Sequence, residues 1–113
     1  ALDGKSLAEI AAFQWHAANS TILRDLCDLG RGRWLALRYR DLLDDSAATV
    51  RRIAEFAGVP FEGPLRDRAS APLPLSRTTV SAPARDKWRR HARAIEALAP
   101  VYAPLEHELA RLD

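Results

Sequence analysis

The chain has 113 residues, 17 basic against 15 acidic, with 48% apolar residues, three histidines, one cysteine and no methionine. That is one domain's worth of chain, too short for a large enzyme. The single Cys27 excludes a disulfide framework and a cysteine-rich zinc site, and the scattered histidines offer no metal spacing, so no metal is expected and the compartment reads as reducing and cytoplasmic.

No apolar run approaches the roughly 18 residues needed to cross a bilayer. The first residues also lack the basic flank and apolar stretch of a signal peptide, so a soluble protein without a membrane partner is expected. A first residue other than Met, in a chain with no Met at all, suggests a piece of a longer protein.

Between residues 6 and 29, Leu7, Ala11, Trp15, Ala18, Ile22, Leu26 and Leu29 recur at steps of four or three, which predicts an amphipathic helix stopped by Gly30 and Gly32. Cys27, beside Leu26, reads as a small core residue. Residues 33–39, from Arg33 through Trp34, Leu35, Ala36 and Leu37 to Arg38 and Tyr39, form a short apolar run between charged ends. They predict a strand buried on both faces of a parallel sheet. Such a strand needs neighbours, and the chain offers no second one. It therefore frays, pairs across a homodimer, or belongs to a sheet that lies mostly upstream.

Ser46 reads as the N-cap of a helix over 46–57 carrying Val50, Ile53, Ala54 and Ala57, with Gly58 and Pro60 as its stop. Asp41, Asp44 and Asp45 just before it suit a helix start better than acid catalysis or metal binding. Residues 61–84 hold Pro64, Pro72, Pro74 and Pro83 without periodicity and predict a long loop, of the length that tends to be functional. Helices then follow over 83–112. Trp88, Ala92, Ile95 and Leu98 mark a first face, Pro100 a break, and Val101, Leu105, Leu109 and Leu112 a second. The spacing of Trp88 makes it a core anchor rather than a stacking platform. All four helices are expected around one core, in a single domain over 1–113.

The stretch from Arg77 to Arg93 carries a net charge of +5 and includes Thr78, Thr79 and Ser81, with Ser76 directly before it. Hydroxyls donate hydrogen bonds and Arg or Lys neutralises charge, which are the parts of a phosphate site. The same cluster also reads as a solvated basic helix face. A nucleic-acid surface is disfavoured, because aromatic residues are not interleaved with the basic ones and total charge is low.

Two ordered blocks resemble sulfotransferases that use 3′-phosphoadenosine-5′-phosphosulfate (PAPS). The first runs Leu37-Arg38-Tyr39-Arg40-Asp41-Leu42-Leu43 and continues from Thr49 through Arg51, Arg52, Ile53, Glu55 and Phe56 to Gly58-Val59-Pro60-Phe61. The second is Leu75-Ser76-Arg77-Thr78-Thr79-Val80-Ser81-Ala82-Pro83 with Asp86-Lys87-Trp88. Trp15, Asn19 and Ile22 fit the helix preceding the first block.

The resemblance implies a mainly α chain with one short strand, the C-terminal portion of an α/β, P-loop-like sulfotransferase fold. It implies PAPS, or its product adenosine 3′,5′-bisphosphate, as cofactor. Tyr39 matches an adenine-contacting tyrosine, while Ser76, Arg77, Thr78, Thr79, Ser81 and Lys87 match a loop and lysine that close over the nucleotide. Arg40 stands where the family usually has glutamate. The family's glycine-containing phosphosulfate loop and base histidine match nothing here. The implied partner is accordingly a missing N-terminal half, without which the chain is expected to be inactive; the alternative is a small helical interaction module derived from such a half.

Overall fold

The computed structural model describes residues 3–112. It is mainly helical, 65% of it, and no strand occurs among the described residues. The described chain divides into two compact units where the sequence predicts one core. One holds the residues up to Trp34 together with those from Trp88 onward, and the other is Leu35–Lys87.

In the first unit, α1 (Leu7–Cys27) opens with a reciprocal cap. The Glu9 backbone N–H donates to Ser6 Oγ at 3.2 Å and the Ser6 N–H donates to Glu9 Oε2 at 2.8 Å. These bonds, with Lys5 nearby, hold the Glu9 carboxyl below its ordinary range. A lowered folded-state pKa means the cap's contribution is present above the ordinary glutamate pKa and lost as pH falls through the lowered one. We therefore expect amide exchange at residues 6–10 to quicken on acidification through that range. In Glu9→Gln the same pH step should vanish, and hydrogen exchange read by NMR checks both.

The packed side of α1 follows the predicted stripe only at Trp15 and Leu26. Ala8, Ala12, Asn19, Leu23 and Leu26 are half-buried, whereas Ala11 and Ala18 are exposed. Leu7 is 85% and Ile22 50% exposed. Cys27, read as core, is exposed as well, its Sγ 2.8 Å from the Arg24 carbonyl oxygen.

After a 3-10 turn at Arg31–Arg33, the Arg31 guanidinium stacks 4.1 Å over the Trp34 ring and donates to the Leu112 carbonyl at 2.9 Å. That ties the end of the α1 segment to the end of the last helix. The unit's other helices are α5 (Ala92–Glu96) and α6 (Ala99–Ala110), both packed on α1. Leu105 of α6 is its one buried apolar side chain among the described residues, 6% exposed. Tyr102 meets Trp15 edge to face with ring centroids 6.3 Å apart.

This end of the chain departs from the sequence reading in its helix start and in Trp88. Residues 83–86 are not helical, and regular α-helix begins only at Ala92, after a 3-10 stretch Lys87–His91. Trp88 falls in that 3-10 turn, so its spacing to Ala92 and Ile95 is not α-helical, and it is 47% exposed rather than a core anchor. The expected break between two helices is present, but it falls at 97–98, just before Pro100. Pro100 sits in the first turn of α6, where its missing N–H would have had no partner anyway.

The second unit contains α2 (Tyr39–Asp44), α3 (Ser46–Ala57) and α4 (Gly63–Ser70), with α3 packed on both neighbours. The strand expected over 33–39 is absent. Trp34 (φ −149°, ψ 158°) and Arg38 (φ −95°, ψ 131°) keep extended backbone, but no strand forms among the described residues, and Tyr39 opens a helix instead.

Helix α3 is capped by Asp45, whose Oδ1 accepts the Ala48 N–H at 2.9 Å. Ser46, expected in that role, sends its Oγ–H to the Ala69 carbonyl of α4 at 2.6 Å. Gly58 ends α3 with φ 69°, in the left-handed region that suits glycine. The loop predicted over 61–84 is interrupted by α4, because Pro64 occupies that helix's first turn instead of breaking structure. Only its later part is irregular. Ala54 of α3 and Ala69 of α4, at 4% and 3% exposed, with Thr49 of α3 at 4%, are the buried residues of this unit among those described, and α3 packs on α4. No described helix is long and apolar enough to cross a membrane.

Candidate functional site

The second unit holds a cleft of about 490 Å³ between two walls. Tyr39, Leu42 and Leu43 of α2, with Ser46 at the start of α3, form one wall. Its opposite wall is the irregular segment from Pro72 to Ser76, joined by Thr79 and Pro83. Three candidates from widely separated positions in the chain, Tyr39, Ser76 and Thr79, therefore meet in one place. Arg77, Thr78, Ser81 and Lys87 are not among the residues lining it.

The hydroxyl wall is built by a turn in which the Thr79 N–H donates to the Ser76 carbonyl at 3.0 Å. Ser76 Oγ lies 3.0 Å from Thr78 Oγ1 and 2.9 Å from Thr79 Oγ1, so three hydroxyls share hydrogen bonds at the turn. A hydroxyl can donate and accept, and this arrangement can turn protons outward toward an acceptor such as a phosphate or ribose oxygen. Lys87 supports the segment from behind, its ammonium donating to the Ser81 carbonyl at 2.7 Å. Arg85 joins Asp44 of α2 at 3.2 Å.

Chemically, the cleft offers an aromatic ring, apolar walls and hydroxyl donors. Its hydroxyls can orient a ligand by hydrogen bonds while the ring and leucines cover its apolar surface. The volume falls in the range of small-molecule sites, about 300–1,000 Å³. Sequence reasoning missed the apolar walls, Leu42 and Leu43 facing Leu73 and Leu75. The Pro72-Leu73-Pro74-Leu75 alternation was the available signal, since extended Pro-rich backbone presents its leucines without helical periodicity.

The family model of the sulfotransferase family matches residues 3–63. This covers more than half of the chain. The chain belongs to the sulfotransferase family. No curated protein and no solved structure gives a match. In this sulfotransferase-family chain, the matched segment runs from before α1 to the first residue of α4 and includes the Tyr39 wall of the cleft. The hydroxyl wall, from Ser76 onward, lies beyond the match.

Proposed function

We propose that this chain is the nucleotide-closing, C-terminal part of a PAPS-dependent sulfotransferase. It would complete the donor site and would be inactive without the N-terminal half that joins it. The observation that carries this reading is the convergence of Tyr39 with Ser76 and Thr79 on one cleft in a sulfotransferase-family chain. The residues fit the nucleoside end of the cofactor. Tyr39 would hold the adenine by ring contact, and Ser76 and Thr79 would donate hydrogen bonds to ribose or phosphate oxygens, with Thr78, outside the lining, orienting the Ser76 hydroxyl. Arg77 and Lys87, outside the lining, would contribute positive charge near the phosphates, and Ser81 would anchor Lys87 through its carbonyl.

PAPS, when bound, supplies the sulfuryl group that passes to a hydroxyl acceptor. A reducing, cytoplasmic setting accords with the exposed free thiol of Cys27.

Titrating the full chain with adenosine 3′,5′-bisphosphate, followed by amide chemical shifts, tests the proposal. Saturable shifts at Tyr39, Ser76 and Thr79 are expected. Their absence up to millimolar ligand, or shifts confined to the first unit, would overturn it.

A further inference from the structure

Many cations of this chain have a partner at hand. Arg24, Arg40 and Arg66 each pair with the aspartate that follows in sequence, Arg85 reaches Asp44, and Lys87 donates to the Ser81 carbonyl. Arg89, Arg90 and Arg93 are different. No acidic residue occurs from Lys87 to Ile95, and all three arginines are exposed. Among the described residues, their side chains have neither an ion pair nor a hydrogen bond.

The three fall within little more than one helical turn, where the 3-10 stretch passes into α5. Ala92 and Ile95 of the same turn are half-buried and α5 packs on α1, so the cations take the solvent side. Trp88, the neighbour of Arg89, is 47% exposed.

We infer that this turn docks on an anionic lipid surface. Like charges held close together repel one another, and an opposite field relieves that repulsion. The headgroups of acidic phospholipids present many anionic oxygens in one plane, and each guanidinium can engage them through paired N–H donors. A tryptophan beside the cations fits the same place. Its ring is apolar with a single N–H, and such residues collect at the boundary between headgroups and acyl chains. Docking of this kind needs no membrane-spanning helix. The whole chain carries only +2, so attraction to a bilayer depends on this local concentration of charge. A nucleic acid would also neutralise three arginines, but single-strand binding uses a series of rings on which successive bases stack, and this turn offers one indole.

Co-sedimentation of the full chain with vesicles decides the matter. Binding is expected to phosphatidylcholine vesicles containing about one-third phosphatidylserine but not to pure phosphatidylcholine, and it should weaken steeply as salt rises. Each arginine near such a surface is worth about fivefold, so the triple variant Arg89→Glu, Arg90→Glu, Arg93→Glu should lose roughly 100-fold or more. Helical circular dichroism should be unchanged, because the three side chains are unpaired. The variant Arg33→Glu, Arg52→Glu, Arg68→Glu has the same net charge, also alters exposed arginines, and should lose far less. Tryptophan emission should shift to the blue on binding, and Trp88→Phe should remove that shift. Equal binding to both vesicle types, equal losses in the two triple variants, a blue shift that survives Trp88→Phe, or tighter binding to an oligonucleotide than to the acidic vesicles would overturn the inference. The nucleotide titration reads the other unit and should be unaffected by the Arg89, Arg90 and Arg93 changes, so the two proposals fail separately.

Discussion

Leu105→Ala is expected to destabilise the first unit by about 2–5 kcal/mol, the loss that accompanies removal of a buried leucine side chain and the cavity it leaves. Leu105 is the only apolar side chain buried in that unit among the described residues, so no neighbouring core can compensate. Whole domains are stable by only about 5–15 kcal/mol, and α1 and α6 should therefore separate at low denaturant in the variant. Urea unfolding followed by tryptophan fluorescence is a direct readout, because Trp15 of α1 rests on Tyr102 of α6 and changes environment when they part. Val101→Ala, on the same helix but at a 49% exposed position, should shift the midpoint far less. Equal shifts in the two variants would mean that Leu105 is not the anchor of this unit.

Removing the Tyr39 ring should have the largest effect on ligand binding. Base stacking on an aromatic side chain is worth about 1–3 kcal/mol, so Tyr39→Ala is expected to weaken adenosine 3′,5′-bisphosphate by roughly 5- to 150-fold. Tyr39→Phe should retain most of the affinity. Tyr39 is 63% exposed at the start of α2, which makes the truncation cheap for folding and keeps the readout on binding. Calorimetric titration of the three proteins provides the comparison. Unchanged affinity in a folded Tyr39→Ala would remove the ring from the site and leave only the hydroxyl wall.

Local signals predicted much of this molecule. The 3.6-residue recurrence places α1, and Gly58 stops α3 at the residue where a left-handed backbone is needed. The hydroxyl-rich segment at 76–81 contributes Ser76 and Thr79 to the cleft. Other signals were ambiguous because one residue type serves two physical roles. Proline both interrupts a helix and starts one, so Pro64 reads as loop and Pro100 as a break, and both prove to be first-turn residues. Asp45 and Ser46 are both good caps, and the Ala69 carbonyl recruits Ser46, leaving Asp45 for the helix end.

By itself, then, the sequence determined the family, the helical character and the hydroxyl and aromatic residue types that the cleft uses, because these depend on near neighbours along the chain. Only the tertiary structure decided which side of α1 is packed, since that helix is apolar on more than one side and periodicity does not choose between them. It also decided that the segment 33–39 forms no strand among the described residues, and that Tyr39, Ser76 and Thr79 line one cleft. Those outcomes depend on which distant groups are present to close a hydrogen bond or cover an apolar surface, and no local pattern encodes that.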